Sequence, residues 1–358
     1  IPFTPSHVSV NRVRIVDLPG VAVDDEVRGQ QAYHLLSTLA ITRYARERGG
    51  PLRLPAAFYA DSPVTRQELP RFVNAALTSG DAPARHAAEA IAERLGRNLA
   101  GQTAGIIGCG NVGSRVRTLF GALGMPVVAN DPPLADAGGG GLVALEEALA
   151  QDIVCLHVPL TRGGRYPTHR FIGRKQLGRM RPGAVLLNTA RGDVVDGAAL
   201  LGDLRPGRLH AALDVWPGEP LIDAALLEAT TVATPHVAGY SDDGKRKGTL
   251  MVYAAFCAWA GLEPVAPPAP PGAAPLLQIA AGENALTRAL DAACFVRRHD
   301  AAMRLLTGLS LERRAQEFDR LRRDYPPRRD FQAWRIRCAD LESARLCHHV
   351  GFTATAAT

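Results

Sequence analysis

Several signatures of metal and redox proteins are missing from the sequence. None of the six cysteines forms a CxxC pair, and their spacings match neither a zinc knuckle nor a disulfide framework. Histidine occurs ten times but never as HExxH, and the adjacent His348 and His349 would point in different directions on a helix. We therefore expect no metal site, and scattered thiols fit a reducing cytoplasm.

Membrane and export signals are missing as well. No apolar run reaches the roughly 18 residues that a membrane span needs, so an integral membrane protein is excluded. No basic-then-apolar leader with a small-residue cleavage site opens the sequence. No internal repeat has a solenoid period.

The composition is that of a folded protein with more than one domain. Of the 358 residues 47% are apolar and 21% charged, enough to bury sizeable cores. The formal net charge of +6 is compatible with nucleic acid, but equally with a phosphorylated or carboxylate substrate. Charge alone therefore does not decide the class of partner.

Between Gly101 and Gly261 short apolar runs alternate with amphipathic stretches. Helices are predicted over Gly113–Gly124 and Leu142–Ala150, with Gly138–Gly141 as a surface loop. Runs of four to eight apolar residues are typical of buried parallel strands, and the alternation predicts an α/β domain with a doubly wound parallel sheet. The six predicted strands lie in TAGIIG, PVVAND, DIVCLHVP, GAVLLNTA, HAALDVW and TTVATPH.

A GxGxxG motif, Gly108-Cys109-Gly110-Asn111-Val112-Gly113, follows the first of these strands and opens a helix. At such a helix N-terminus, free backbone N–H groups and the helix dipole can hold a pyrophosphate. Gly108 would permit the tight turn, Gly110 the approach of the phosphates, and Gly113 close packing of helix on strand. The motif and its context predict a Rossmann dinucleotide site.

Asp131 lies 21 residues after Gly110, at the end of the run VVAND. A carboxylate there can accept hydrogen bonds from both adenosine ribose hydroxyls and would repel a 2′-phosphate, so NAD is favoured over NADP. The alternative interpretation is a turn aspartate before Pro132 and Pro133.

Three polar residues, Arg191, Glu219 and His236, follow three successive strand patterns. Because the carboxyl ends of parallel strands border one crevice, these side chains could meet there. Arginine can bind a carboxylate, histidine can accept a hydroxyl proton, and glutamate can orient the histidine, as oxidation of a 2-hydroxy acid requires. Taken singly, each could instead be a surface arginine, a turn glutamate or a buried histidine.

These segments carry a resemblance to a known family. GIIGCGNVG, LNTARGDVVD, ALDVWPGEP and TPHVAGYS resemble the D-2-hydroxyacid dehydrogenases. CLHVPLTRGGRYPTHRFI, HVAGYSDDGKRKGT and the tail FDRLRRDYPPRRDFQAW are similar to the branch that oxidises 4-phospho-D-erythronate in vitamin B6 synthesis, whose tail is a dimerisation domain. The resemblance runs from about Ala92 to Phe352.

The resemblance implies a set of site residues and a reaction. Arg191, Glu219 and His236 would be catalytic, with His236 as the acid/base, and Tyr240 would contact the substrate. NAD⁺ would oxidise 4-phospho-D-erythronate to 2-oxo-3-hydroxy-4-phosphobutanoate. The implied cofactor-binding residues are Gly108, Gly110, Asn111, Val112, Gly113, Asp131, Pro159, Ala190, Gly192, Asp214 and Gly239.

The predicted domain order is a substrate domain (1–97), an NAD-binding domain (98–252), a return segment with a proline-rich linker (253–275), and a small α+β dimerisation domain (276–358). The linker rests on six prolines between Pro264 and Pro275, which favour extended chain. In the last domain, helices are predicted over Glu283–Leu306 and Leu311–Arg323, and a strand over Phe331–Cys338.

Residues 1–91 depart from the family pattern. Strands within Val8–Val23 and a helix over Asp81–Leu95 are predicted there, but the family's Arg-Ser-Val-Thr stretch and Gly-Thr-Asp-His turn are absent. The segment has either diverged or is not the native product, and the residues that bind a substrate phosphate stay unassigned.

Three other functions are compatible with parts of the sequence. The protein could act on another 2-hydroxy acid, or be a dimeric NAD(H)-binding regulator without turnover. The arginines and aromatic residues of the tail occur together in nucleic-acid binders too. However, residues 311–340 hold nine arginines and six acidic residues, and this mixed charge favours a packed dimer arm without nucleic-acid binding.

Overall fold

The computed structural model describes residues 101–265 and 274–357. The chain divides into one unit of Asn74–Gly248 with Pro268–Thr358 and another of Ile1–Val73 with Thr249–Pro267. Everything predicted for residues 1–97 lies outside the described residues, as does linker segment 266–273. The predicted domain boundaries stay predictions.

Six short strands of the first unit form one parallel sheet in the order β2-β1-β3-β4-β5-β6. All four residues of β1, β3 and β4 are buried, because both faces of the sheet are covered. The predicted strands and the doubly wound class are confirmed. The strands are β1 (Ala104–Ile107), β2 (Val127–Asn130), β3 (Ile153–Leu156), β4 (Val185–Asn188), β5 (His210–Leu213) and β6 (Val232–Ala233).

The register aligns the carboxyl ends of the strands. Ile107 pairs with Asn130 and with Leu156, and Asn188 pairs with Leu156 and with Leu213. The residues that follow these strands therefore begin at one edge of the sheet, where ligands bind in open α/β folds.

Seven helices accompany this sheet in the described residues. Asp196 and Asp223 cap two of them by accepting backbone N–H groups of the first turn. The predicted helix over Leu142–Ala150 begins later, because the Val143 N–H donates to the Ala129 carbonyl and keeps this stretch extended. The helices are α1 (Asn111–Ala122), α2 (Pro132–Asp136), α3 (Leu145–Leu149), α4 (Arg174–Leu177), α5 (Gly197–Leu204), α6 (Ala224–Ala229) and α7 (Asp242–Ala260).

The C-terminal part of the chain forms a parallel three-stranded sheet in the order β7-β8-β9. Each of these strands alternates exposed residues with less exposed ones, and the less exposed residues include Ile279, Ile336 and Cys338, which are buried, so one face of the sheet packs inward. Its elements are β7 (Leu276–Ile279), α8 (Ala285–Cys294), α9 (Val296–Arg304), α10 (Leu311–Arg323), β8 (Arg335–Cys338), α11 (Leu341–His349) and β9 (Thr353–Ala356).

Two predictions for this part are corrected. The helix expected over Glu283–Leu306 is broken at Phe295, whose left-handed backbone (φ 55°) ends α8 and starts α9. The strand expected over Phe331–Cys338 begins only at Arg335, because Phe331–Ala333 form a 3₁₀ turn. Both misses concern local backbone geometry that hydrophobic periodicity does not encode.

The edge strand β6 is covered by α9. Asp300, 2% exposed, accepts the N–H of Ala233 in β6 at 2.8 Å, and so pairs a backbone group that an edge strand would leave unpaired. Arg304 donates to the carbonyls of Leu227, Thr230 and Thr231, which precede β6. No helix within residues 101–265 and 274–357 has the length and apolar content needed to cross a bilayer.

Candidate active site

The glycine-rich turn connects β1 to α1. Gly108 has φ 89°, and its N–H donates to the Asn130 carbonyl at 2.8 Å. A Cβ on Gly113 would lie 1.9 Å from the Gly108 carbonyl oxygen, so only glycine allows this packing of helix on strand. Gly110 faces open space with no atom within 4 Å of such a Cβ, and no side chain caps α1. The turn thus offers room and an uncapped helix N-terminus, which fits a bound pyrophosphate.

Asp131 follows β2 and faces this turn. Its Oδ2 accepts the Cys109 N–H at 2.8 Å, and its Oδ1 accepts the Leu134 N–H at 3.0 Å as the N-cap of α2. The turn interpretation therefore holds, and the carboxylate also ties β2 to the glycine-rich turn. Each carboxylate oxygen has a second lone pair, so the ribose contact stays a prediction compatible with this geometry.

Arg191 lies in a loop that Asn188 shapes. Asn188 is 1% exposed at the end of β4; its side chain accepts the Ala190 N–H at 3.0 Å and donates to the Arg191 carbonyl at 2.9 Å. The Arg191 side chain is exposed, with Nη1 on the Ala190 carbonyl at 2.7 Å. A Cβ on Gly192 would lie 2.0 Å from the Trp216 carbonyl oxygen, so this loop packs directly on the one after β5.

His236 and Glu219 form a close pair. The distance between His236 Nδ1 and Glu219 Oε1 is 2.5 Å, and Glu219 Oε2 accepts the Trp216 N–H at 3.1 Å. The two side chains are 27% and 24% exposed, so both remain accessible. His236 has φ 55°, a left-handed conformation that is strained for a residue with a Cβ and is common at functional sites.

Two parts of the chain match known protein families. Residues 75–238 match the family described as D-isomer specific 2-hydroxyacid dehydrogenase, NAD binding domain, and residues 272–351 match a domain of unknown function (DUF3410). An erythronate-4-phosphate dehydrogenase of Salinibacter ruber is 40% identical over 79% of this chain and 79% of its own length. Another, from Salmonella arizonae, is 38% identical over 74% of this chain and 71% of its own.

This chain belongs to the D-isomer specific 2-hydroxyacid dehydrogenases. These are NAD-dependent oxidoreductases, so the predictions of the family, of an enzyme and of NAD as cofactor are confirmed. An NAD-complexed D-isomer specific 2-hydroxyacid dehydrogenase from Lactobacillus delbrueckii ssp. bulgaricus is 31% identical. The structural match covers 47% of this chain and 56% of the Lactobacillus chain, with a TM-score of 0.38.

In this dehydrogenase, Asp214 holds the loop that follows His236. Asp214 is 5% exposed, and its Oδ1 accepts the Thr234 hydroxyl at 2.6 Å and the Val237 N–H at 2.9 Å. Its Oδ2 accepts the Ala238 N–H at 3.0 Å. Its own backbone carbonyl accepts the His236 N–H at 2.7 Å. Asp214 therefore supports the His236 loop, and its predicted contact with the cofactor stays a prediction.

The remaining predicted residues are distributed around the same edge. Asn111 and Val112 begin α1, and Pro159 is exposed after β3, its carbonyl accepting the Thr168 hydroxyl. Gly239 and Tyr240 follow His236, and the Tyr240 ring packs edge-to-face on Tyr325. Their roles toward cofactor and substrate stay predictions.

Sequence reasoning missed two residues of this region. Asn188 was visible as a polar residue ending an apolar strand, which is the usual signal of a loop-forming side chain. Arg328, which contacts the His236 loop, had no comparable signal because it lies in the arginine-rich tail.

Proposed function

We propose that the protein oxidises 4-phospho-D-erythronate with NAD⁺, giving 2-oxo-3-hydroxy-4-phosphobutanoate, NADH and a proton. The relatives named erythronate-4-phosphate dehydrogenase, at 38–42% identity, support this substrate over other 2-hydroxy acids. The proposed catalytic residues are Arg191, Glu219 and His236.

The observation that carries the proposal is the pairing of His236 Nδ1 with Glu219 Oε1. With Nδ1 held by the carboxylate, Nε2 is the ring nitrogen left to accept the proton of the substrate's 2-hydroxyl. The imidazolium that forms is stabilised by the adjacent negative charge of Glu219. The Trp216 N–H holds the other carboxylate oxygen and so keeps Glu219 oriented toward the ring.

Arg191 would bind the substrate carboxylate. Its side chain is exposed, and within the described residues its guanidinium donates to the neighbouring Ala190 carbonyl. It can therefore reorient toward an anion. A planar fork of N–H donors matches a carboxylate and the developing 2-oxo group. Bound NAD⁺ supplies the acceptor for the hydride that leaves C2, and the glycine-rich turn with Asp131 would hold it.

The C-terminal domain is proposed as the dimerisation domain, and residues 1–97 as the substrate domain. The dimer proposal is supported by the resemblance of the tail. A cytoplasmic location is supported by the six cysteines, which are all buried and form no disulfide.

The test measures NADH formation by the purified protein with NAD⁺ and 4-phospho-D-erythronate, alongside D-lactate, D-glycerate and 3-phosphoglycerate. A carbonyl trap removes the oxo acid, because oxidation of a hydroxy acid is often uphill. Turnover selective for phosphoerythronate, absent in Glu219→Gln and His236→Ala, is the expected result.

Other outcomes decide against the proposal in different ways. Selective turnover of another hydroxy acid would replace the substrate and keep the reaction class. Normal NADH binding with no turnover of any of the four acids would instead favour an NAD(H)-binding regulator.

A further inference from the structure

Arg328 reaches from the C-terminal domain to the loop that carries Gly239 and Tyr240. The residue is 4% exposed. Its Nη2 donates to the Ala238 carbonyl at 2.8 Å and its Nε to the Tyr240 carbonyl at 3.2 Å. Its own carbonyl accepts the Asp242 N–H at 2.8 Å. One buried arginine therefore contacts the backbone at three points along five residues.

The neighbours of Arg328 strengthen this attachment. Arg329 Nε lies 2.8 Å and 3.1 Å from the two carboxylate oxygens of Asp243, and the Asp330 N–H donates to the same carboxylate at 2.7 Å. The Tyr325 ring packs edge-to-face on Tyr240 with centroids 5.8 Å apart. The segment Tyr325–Asp330 thus contacts the loop through Tyr240 and the first turn of α7 through Asp243.

The loop is held from two sides. Asp214 accepts the N–H groups of Val237 and Ala238, whereas Arg328 donates to the carbonyls of Ala238 and Tyr240. A buried guanidinium without acceptors would be costly, so the loop carbonyls and the arginine require each other. Lysine could not replace it, because a single ammonium lacks the rigid fork that reaches two carbonyls at once.

We propose that Arg328 is a positioning residue for the dehydrogenase site: it sets the backbone of Ala238–Tyr240, and through it the contacts of Gly239 with the cofactor and of Tyr240 with the substrate. The inference rests on the roles given to Gly239 and Tyr240 in the proposed function. The C-terminal domain then shapes the active site of its own chain in addition to any part in assembly.

The test compares Arg328→Lys with Arg304→Lys in the full-length protein. Arg304 is a matched control, since it also comes from the C-terminal domain and also donates to backbone carbonyls of the sheet domain. Its acceptors, however, precede β6, at the end of the strand opposite the site. Thermal melting, the Kd for NADH from fluorescence titration, and kcat and KM for the hydroxy acid are measured for both variants.

We expect Arg328→Lys to raise the NADH Kd and the hydroxy-acid KM by about tenfold, the factor that one lost charge-assisted hydrogen bond typically produces. Arg304→Lys should lower the melting temperature while leaving Kd and KM within about twofold of the parent protein, since its backbone acceptors precede β6 and do not belong to the loop. Asp243→Asn, which weakens the Arg329 pair, should shift Kd in the same direction by less and serves if Arg328→Lys does not fold.

Equal changes of Kd in the Arg328 and Arg304 variants would show a general loss of stability and overturn the proposal. An unchanged Kd and KM in a folded Arg328→Lys, or in Asp243→Asn if that is the variant that folds, would overturn it as well. If the parent protein binds NADH but does not oxidise phosphoerythronate, the proposed substrate is wrong. The NADH Kd of the variants still decides the role of Arg328 in that case.

Discussion

Two loops border the site at the carboxyl edge of the sheet, and they differ in what holds them. The glycine-rich turn Gly108–Gly113 needs two of its own glycines, Gly108 with positive φ and Gly113 packed on the Gly108 carbonyl, and Asp131 adds a contact with the Cys109 N–H. The loop His236–Tyr240 is held by side chains from elsewhere, Glu219, Asp214 and, 90 residues after Ala238, Arg328. A loop that its own glycines shape is visible in a short motif, whereas one held only by side chains from other parts of the chain is not.

Replacing His236 by alanine should give the largest difference between the functions of the two loops. We expect kcat to fall by roughly 10²–10⁴-fold, the usual contribution of a general acid/base. NADH binding should stay near that of the parent protein, because the phosphates are assigned to the other loop. His348→Ala, a change of an exposed histidine on α11, is the control and should leave both quantities unchanged. Loss of NADH binding in His236→Ala would show that the loops do not act separately.

Lowering the pH should destabilise the part of the protein that packs beside the loop His236–Tyr240. His299 lines a pocket with Asp214, Ala238 and Arg328, and both of its ring nitrogens lack a hydrogen-bond partner among the described residues. Burial lowers the pKa of His299 from 6.5 to about 4. The positive charges of Arg298 and Arg328 act in the same direction, and the negative charge of Asp214 acts against them.

Since the unfolded chain binds this proton below pH 6.5 and the native protein only near pH 4, stability falls as the pH drops through that window. The loss approaches roughly 3 kcal/mol at the lower end. His299→Phe should remove this part of the slope in urea unfolding measured across the window. A slope unchanged by the substitution would exclude His299 as its source; part of the slope should persist in any case, because burial also lowers the pKa of His157 to about 4.

In the glycine-rich turn, replacement by alanine should have different effects at two of the glycines. Gly113→Ala places a Cβ 1.9 Å from the Gly108 carbonyl oxygen, and we expect a loss of about 1–3 kcal/mol in the free energy of unfolding. Gly110→Ala meets no atom within 4 Å, so stability should change little while NADH affinity falls. Equal stability losses in urea titrations would mean that both glycines serve the fold alone.

The same contrast explains what the sequence could predict. The strands were predicted because both faces of the sheet are covered and each strand is a continuous apolar run. The glycine-rich turn, Arg191, Glu219 and His236 were predicted as site residues because each follows such a run, and their roles stay predictions. The break at Phe295 and the contact of Arg328 with Tyr240 were not, because a left-handed residue inside a helical pattern and a pairing across 88 residues leave no periodic signal.

Replacing Asp131 by alanine should have the smallest effect of these substitutions. It is also the most informative, because the two interpretations of Asp131 predict different results. The carboxylate caps α2 and holds the Cys109 N–H, so Asp131→Ala should cost about 1 kcal/mol of stability in either case. If it also binds the ribose, the NAD⁺ Kd should rise about tenfold, equivalent to ~1.4 kcal/mol. Asp136→Ala is the matched control, since that exposed aspartate pairs with Arg165 and Tyr166 and not with the turn. A stability loss with an unchanged Kd would reduce Asp131 to a support of the glycine-rich turn, and NAD selectivity would then need another source.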